Sequence, residues 1–553
     1  MSFCCHPESF TNSLKKFAVM MKRIALGLVY SLLVVLPVEA EVAAGCPFMS
    51  HMVLQREMKV PVWGTAASGE QVTVAFAGQK KTVTAGADGS WRVDLDPMAA
   101  SAEGRVMTLS GSATAQPVQL DDVLVGEVWL ASGQSNMTFP ISKAHASYAG
   151  VNNEAAEIAA ANYPLIRMFM GKPTLAHDPA AHVDGEWKVC SPETAPDFSA
   201  VGYFFARDLQ KELHVPIGIL TVAFGASTAE AWIPREALAA DPLLKPMLDH
   251  FDSLYAAFQA DPNAQAKYAE AQQKAQAAAA DARAKGQKPP KGPRDPNPLH
   301  DQHNATVLYN AMVHPVLPYA IRGVIWYQGE SIVGGLAGRT LYPHVQETLI
   351  KEWRKLWGEG DFPFYIVQLA ALNAPSNNPQ VREAQATVLK LPNTGMAVTI
   401  DIGDPTNVHP KDKQDVGDRL TRIAMANVYG GKEEFSGPVY DAMKVEGGAI
   451  RISFTHPGGG LVAKAGPLKW FEIAGADMKF VPADAKIDGE TVVVSSTQVA
   501  SPAAVRYAWA NYPVGCNLYN AAGLPAAPFR TDNEPYTEVA PTAPAAAAPA
   551  KGP

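Results

Sequence analysis

The pattern of hydrophobic and polar positions divides the chain into a β region, an α/β region and a second β region. In the first, short segments alternate apolar and polar residues between turns rich in Gly, Pro and Asp: residues 71–77, 81–85, 90–96 and 105–111. A two-residue period broken by regular turns is typical of a small β-sandwich. The same pattern predicts a second β module from residues 449–456, 479–489, 491–496 and 504–510.

The region between them alternates predicted strands and helices. Its strands are apolar runs at residues 123–131, 217–225, 323–329, 364–370 and 396–401, and its helices are expected at residues 201–213, 342–356, 381–391 and 413–428. This alternation predicts an α/β fold with a mainly parallel sheet covered on both faces. Ala, Gln and Lys dominate residues 268–285 and predict a solvated helix within an insertion at about 235–300.

The first forty residues have the pattern of an export signal. Basic residues after Met21 precede an apolar stretch, and Val38-Glu39-Ala40 has the small residues of a cleavage site. The apolar stretch is short for a transmembrane span. We therefore predict a signal peptide at residues 1–40, with Met21 as an alternative start. The mature protein is expected to be exported, either periplasmic or secreted, with no stable membrane insertion.

These patterns predict five consecutive segments. The signal peptide precedes an N-terminal β-sandwich-like module (41–121), an α/β domain (122–430), a C-terminal β module (431–538) and a disordered Ala/Pro-rich tail (539–553).

The charge and the cysteine content of the chain limit which partners and metals are expected. The 46 Lys and Arg residues and 54 Asp and Glu residues give a net charge of −8 with no basic block, so nucleic acid is not an expected partner. Cys46, Cys190 and Cys516 follow the signal without CxxC spacing. One disulfide with a free thiol and three buried thiols are both compatible with that spacing, and no structural metal is predicted.

A small polar turn, from Ser132 to Asn136, follows the first strand of the α/β region. A serine just past a buried strand, with a glycine two positions earlier, can present its hydroxyl beside free backbone N–H groups. Ser135 is therefore the predicted nucleophile, and Asn136 beside it is a candidate for orienting substrate. A polar turn without chemistry is the alternative.

Three other strand ends carry residues suited to the same reaction, and in open α/β sheets ligands bind at such ends. Gly225 can present a backbone N–H to an oxyanion, and Gln328 can donate through its side-chain amide. His409 is the usual type of base for a serine, and a carboxylate from Asp401 or Asp404 can orient its ring.

Six motifs in chain order carry a family resemblance: VGEVWLASGQSNM, FGASTAEAW, VIWYQGES, FYIVQLA, VREAQ and AVTIDIGDPTNVHPKDKQ. Together they make the chain similar to the sialate O-acetylesterase-like carbohydrate esterases of the SGNH, or GDSL-type, hydrolase superfamily. The resemblance implies a three-layer SGNH-type core flanked by β modules. It also implies Ser135 as nucleophile, His409 as base, and an oxyanion hole made by the Ser135 N–H, Gly225 and Gln328.

The carboxylate that orients His409 departs from the family pattern. Many GDSL-type enzymes place this acid three residues before the histidine, where this chain has Thr406. We therefore predict Asp404 as the acid, with Asp401 and then Glu330 as alternatives. For Glu330 a structural or substrate-orienting role is expected ahead of a catalytic one.

The predicted function is an exported serine esterase that removes O-acetyl groups from a sugar or polysaccharide through an acetyl-enzyme intermediate. An acetylated carbohydrate is its expected partner, and no metal or organic cofactor is required. The alternatives are a carbohydrate-binding protein with an inactive esterase core and a general short-chain or aryl esterase.

Overall fold

A computed structural model describes residues 41–332, 335–374 and 379–536. The predicted signal peptide at residues 1–40 and the predicted tail at residues 539–553 lie outside these residues. The strands are β1 (Ala43–Ala44), β2 (Val53–Gln55), β3 (Val60–Thr65), β4 (Gln71–Phe76), β5 (Gln79–Thr84), β6 (Ser90–Leu95), β7 (Ser101–Gly111), β8 (Val118–Gly133), β9 (Tyr163–Met170), β10 (Trp187–Cys190), β11 (Ile217–Ala223), β12 (Gly323–Tyr327), β13 (Phe364–Val367), β14 (Thr394–Ala397), β15 (Val439–Glu446), β16 (Ala449–Thr455), β17 (Leu461–Ala463), β18 (Phe471–Ala474), β19 (Val481–Pro482), β20 (Asp484–Asp488), β21 (Thr491–Ser495), β22 (Ala504–Tyr507), β23 (Leu518–Asn520) and β24 (Phe529–Arg530). The α-helices are α1 (Ser135–Thr138), α2 (Glu154–Ala160), α3 (Ala200–Leu213), α4 (Arg235–Ala240), α5 (Lys245–Ala260), α6 (Ala264–Ala284), α7 (Gly335–Trp357), α8 (Pro379–Ala386) and α9 (Lys413–Val428).

The predicted α/β class is confirmed, with a large mixed sheet at its centre. Its main path runs β10-β9-β11-β8-β12-β13-β14. The five pairings from β9 to β14 are parallel, and β10 joins β9 antiparallel. All five strands predicted for the α/β region are present, whereas β9 and β10 were not predicted. Parallel strands require long crossovers, and the intervening helices supply them.

Strand β8 joins the N-terminal β region to the α/β region. It is 16 residues long, and its first half pairs antiparallel with β7 while its second half pairs in parallel with β11 and β12. Residues 118–122 are only partly buried, whereas residues 123–133 are all buried, because the second half is covered on both faces. The predicted division between residues 121 and 122 therefore falls inside one continuous strand.

Helices cover both faces of the central sheet. Val128 and Leu130 belong to one buried cluster, which includes Trp353 of α7. Trp129 and Ala131 belong to the opposite cluster, where α3 and α9 pack against the sheet. Successive side chains of a strand point to opposite faces, so this apolar run serves two cores at once.

The C-terminal β module has its own core. Its sheets run β15-β16-β21-β20, β17-β23 and β19-β18-β22-β24. The buried cluster of this module also includes Ala371, Val398 and Ile400, which come from the chain just after β13 and β14. The module therefore packs against the carboxyl edge of the central sheet.

Three further predictions, on the insertion helix, the cysteines and membrane spans, can be compared with the structure. Helix α6 in the insertion is 21 residues long and buries only Ala264 and Ala282, which confirms a solvated helix. Cys46, Cys190 and Cys516 are all buried free thiols. None of the helices within the described ranges is both long and apolar enough to cross a membrane.

Candidate active site

The carboxyl ends of three parallel strands meet at Gly133, the last residue of β8. In the sheet register Gly133 pairs with Ala223 of β11 on one side and with Tyr327 of β12 on the other. Its φ is +134°, and a Cβ at this position would lie 2.2 Å from the carbonyl oxygen of Tyr327. Glycine is therefore required here, and Gln134 continues the turn by donating to that same oxygen at 2.9 Å.

Ser135 begins the short helix α1 directly after this turn, and its hydroxyl contacts His409. The Oγ of Ser135 lies 2.8 Å from the Nε2 of His409, although the residues are 274 positions apart. His409 belongs to the loop after β14, where its backbone N–H donates to the Oδ1 of Asn407 at 2.9 Å. The imidazole packs against Tyr148 with ring centroids 4.6 Å apart.

The electrostatic surroundings keep His409 neutral. Burial of the imidazole, followed by the positive charge of Lys413, lowers the pKa of His409 from 6.5 to about 4. A neutral imidazole beside a serine hydroxyl can accept its proton. The pair is therefore arranged for nucleophilic attack by the serine oxygen.

Asp404 makes its hydrogen bonds within its own turn. Its Oδ1 accepts from the backbone N–H groups of Thr406 at 2.8 Å and Asn407 at 2.9 Å, and from the Thr406 hydroxyl at 3.0 Å. The Thr406 N–H in particular holds the pKa of Asp404 below its usual value. Asp404 thereby fixes Asn407, whose side chain accepts from the His409 N–H.

The two alternative acids are also engaged elsewhere. Asp401 forms a bidentate ion pair with Arg419 at 2.7 and 2.8 Å and accepts from the Tyr519 hydroxyl at 3.1 Å. Glu330 accepts a short hydrogen bond from the side chain of Asn136. In the part of the chain that the structure describes, no carboxylate hydrogen-bonds the ring of His409.

The two predicted oxyanion residues flank Ser135. Gly225 follows β11, and a Cβ there would meet the Cβ of Ser135 at 3.7 Å as its nearest neighbour. Gln328 follows β12 and is fully buried. The Tyr342 hydroxyl donates to its Oε1 at 2.7 Å, which fixes the orientation of the amide. Its Nε2 donates to the carbonyl oxygen of Ser227 at 3.1 Å. One amide hydrogen is thus bound, and the other has no acceptor among the described residues.

A buried polar network lies beneath the Ser135–His409 pair. Lys413 is fully buried and donates to the Oδ1 of Asn136 at 2.6 Å. Asn136 donates in turn to Glu330 and to the carbonyl oxygen of Val408, the latter at 3.0 Å. Burial raises the pKa of Glu330, and burial lowers the pKa of Lys413 to about 7 against the opposing charge of Glu330.

Sequence reasoning assigned no role to Lys413 or Tyr342. Lys413 is the first residue of helix α9, and Asp412 before it accepts a capping hydrogen bond from Asp415. Cations are disfavoured at helix N-termini, so a lysine at this position is a sequence signal that could have drawn attention to Lys413. Tyr342 carried no comparable signal, because its contact with Gln328 depends on how α7 packs.

Comparisons with known proteins point to one family. A sequence profile described as "Carbohydrate esterase, sialic acid-specific acetylesterase" matches residues 299–426, a range that holds Gln328 and His409. The chain is 30% identical to the sialate O-acetylesterase of Pongo abelii over 572 residues, covering 93% of this chain and 98% of the relative. It is 29% identical to the sialate O-acetylesterase of Homo sapiens over 563 residues, covering 92% of this chain and 97% of the relative.

A solved structure agrees with these relatives. A carbohydrate acetylesterase from Xanthomonas citri superposes with a TM-score of 0.73 at 35% sequence identity. The match covers 89% of this chain and 100% of that chain, so it includes the β modules as well as the central sheet.

Proposed function

Because this chain belongs to the sialate O-acetylesterase family, it is a carboxylic ester hydrolase, and we propose that it is an exported serine esterase that removes O-acetyl groups from a sugar or polysaccharide. The observation that carries the serine mechanism is the 2.8 Å contact between the Ser135 Oγ and the His409 Nε2. We assign the core to the SGNH type, and the parallel pairings from β9 to β14 support that assignment.

In the proposed reaction the Ser135 Oγ attacks the acetyl carbonyl carbon while His409 Nε2 takes the hydroxyl proton. The tetrahedral oxyanion receives hydrogen bonds from the Ser135 N–H, the Gly225 N–H and the unbound amide hydrogen of Gln328. The C–O bond to the sugar then breaks, and His409 returns the proton to the leaving sugar oxygen. Water, deprotonated by His409, attacks the acetyl-enzyme, and acetate leaves with Ser135 reprotonated.

The position of His409 is proposed to depend on the turn that precedes it and on the buried network beneath the Ser135–His409 pair. Asp404 is proposed to act on that loop through Thr406 and Asn407, which is supported by its three hydrogen bonds in the turn. Glu330 and Asn136 are proposed to orient the pair from below through the network with Lys413.

Replacing the nucleophile tests the proposal. Ser135→Ala is expected to lower acetate release from p-nitrophenyl acetate and from acetylated glycans by on the order of 10³-fold or more. The matched control is Ser132→Ala, which removes a buried hydroxyl without a partner among the described residues and should leave activity intact. Wild-type rates in Ser135→Ala would refute the serine mechanism.

The length of the acyl chain distinguishes a deacetylase from a general short-chain or aryl esterase. A general esterase would hydrolyse butyryl esters as fast as acetyl esters, whereas a deacetylase prefers acetyl esters.

Export is a separate part of the proposal and has its own test. If the signal is removed after Ala40, the mature chain begins at Glu41. Intact-mass and N-terminal sequencing of protein recovered outside the cytoplasm are expected to find that start. Recovery of the chain in the cytoplasm with residues 21–40 attached would contradict export.

A further inference from the structure

A cavity lies where helix α8 meets the C-terminal β module. Its volume is about 570 Å³, and Asn373 lines it from the α/β region. The module contributes the charged, aromatic and amide side chains of Arg506, Trp509, Asn511, Tyr512 and Arg530. We call it the junction cavity, and none of the residues of the proposed reaction lines it.

Two arginines of the junction cavity are held in place by one buried carboxylate. Asp532 has a side chain with no exposed surface and accepts from Arg506 at 2.7 and 2.9 Å and from Arg530 at 3.1 Å. Arg530 also donates to Glu383 at 2.9 Å. A guanidinium has five N–H groups, so both arginines keep donors beyond those bound to carboxylates. Among the described residues that line the cavity, none carries a carboxylate side chain.

The other polar groups of the junction cavity match the hydroxyl groups of a sugar. The side-chain amides of Asn373 and Asn511 and the hydroxyl of Tyr512 make no hydrogen bond to the described residues. The ring of Trp509 supplies an apolar wall. The Cζ atoms of Arg530 and Arg506 lie 5.3 and 5.7 Å from the centre of that ring. Ligand sites commonly combine such an apolar surface with a few convergent polar groups.

Chain segments beside the junction cavity are hydrogen-bonded to the segments that carry His409 and Gln328. The backbone N–H of Asn373 donates to the carbonyl oxygen of Pro405 at 3.2 Å, four residues before His409. At the other end of α8, Gln385 donates to the carbonyl oxygen of Gln328 at 3.0 Å. Strand β13, which leads into Asn373, lies two strands from β8, on the order of 10 Å away. These contacts place Asn373 and helix α8 next to the segments that hold the ester-cleaving residues.

We propose that the junction cavity is a subsite for a carboxylate-bearing sugar of the glycan, separate from the residues that cleave the ester. The free N–H groups of Arg506 and Arg530 bind the carboxylate, while Asn373, Asn511 and Tyr512 bind ring hydroxyls. Planar guanidiniums match carboxylate geometry and remain charged at all working pH values. This inference rests on the proposed carbohydrate esterase function.

Calorimetry on Ser135→Ala protein tests binding without turnover. The ligands are the methyl glycosides of N-acetylneuraminic acid and of glucuronic acid, each paired with its neutral primary amide. We expect at least one acid to bind and its amide to bind about 10- to 100-fold more weakly, because charged hydrogen bonds are lost. Equal affinity for acid and amide, or binding of neither acid, would overturn the proposal.

Variants then locate the bound carboxylate. In the same Ser135→Ala background, Arg506→Gln should weaken binding of the acid by about 10-fold or more. The matched control is Arg451→Gln, because Arg451 likewise forms ion pairs on the same module, with Glu446 and Asp488. Equal effects of these two changes would contradict the assignment.

A second variant avoids the ion pairs altogether. Asn511→Ala combined with Tyr512→Phe removes groups without partners among the described residues, so the fold should survive even if Arg506→Gln does not fold. It should weaken binding of the acid several-fold, and unchanged affinity would count against the subsite. Loss of esterase activity in Ser135→Ala is measured separately, so the binding result and the proposed reaction can fail independently.

Discussion

Lys413 donates a hydrogen bond of 2.6 Å to the side-chain oxygen of Asn136, the residue that follows Ser135. The amide nitrogen of Asn136 donates to the carbonyl oxygen of Val408, the residue that precedes His409. One side chain therefore connects the main chain beside the serine to the main chain beside the histidine. The charged form of Lys413 is disfavoured because burial removes the ammonium group from water, and this burial lowers the pKa of Lys413.

The acid limb of the activity profile is expected to lie far below the ordinary pKa of histidine. Burial and the charge of Lys413 lower the pKa of His409 to about 4, and only below that pKa is the ring protonated and unable to accept the Ser135 proton. Because the neutral form persists, kcat/KM for p-nitrophenyl acetate should change little down to about pH 5 and fall at lower pH. A limb with its midpoint near 6.5 would contradict this electrostatic account.

Removal of the Lys413 charge should move that limb to higher pH. Lys413→Met takes away a cation that lowers the pKa of His409, so the pKa rises. It also leaves Asn136 without its donor, and kcat should fall about 10-fold. The control is Lys411→Met, an exposed lysine two residues earlier. An acid limb at the wild-type position in Lys413→Met would show that its charge does not act on His409.

Two substitutions of Asp404 distinguish a turn-forming role from a ring-orienting role. Asp404→Asn keeps an oxygen that can accept from Thr406 and Asn407, so kcat should stay within about 3-fold of wild type. Asp404→Ala removes the acceptor, loosens the loop and should cost about 10-fold or more. If the carboxylate instead orients the imidazole, the Asn variant should lose on the order of 10⁴-fold in kcat. Steady-state kinetics on both variants decides between the two.

The glycines at the two strand ends should respond differently to alanine. A Cβ at Gly133 would lie 2.2 Å from the Tyr327 carbonyl oxygen at a φ of +134°, so Gly133→Ala should lower the free energy of unfolding by about 2–3 kcal/mol. A Cβ at Gly225 meets only Ser135, at 3.7 Å, so Gly225→Ala should change stability by less than about 0.5 kcal/mol. Urea denaturation of both variants measures the contrast, and equal destabilisation would refute it.

The strands and helices of the α/β region could be predicted closely because their apolar runs are long. Residues 413–428 were predicted as a helix, and α9 spans Lys413–Val428. Residues 217–225 were predicted as a strand, and β11 spans Ile217–Ala223. Strands β9 and β10 were missed. In β9, which has eight residues, Pro164 and Arg167 interrupt the apolar run, whereas β10 has only four residues and lies at one end of the sheet path. Short segments carry too few positions to show a period.

The apolar runs of the sequence identify the residues at the strand ends, because a strand of a parallel sheet that is buried on both faces requires a long apolar run with a sharp end. Ser135, Gly225 and Gln328 could be selected on that basis. The contacts of each polar group, in contrast, follow from how distant segments pack in the folded chain. In the folded protein Asp404 accepts hydrogen bonds from Thr406 and Asn407. Asp401 forms an ion pair with Arg419, and the buried Lys413 donates to Asn136. Such hydrogen bonds depend on distances of a few tenths of an ångström between segments hundreds of residues apart, and no local pattern encodes them.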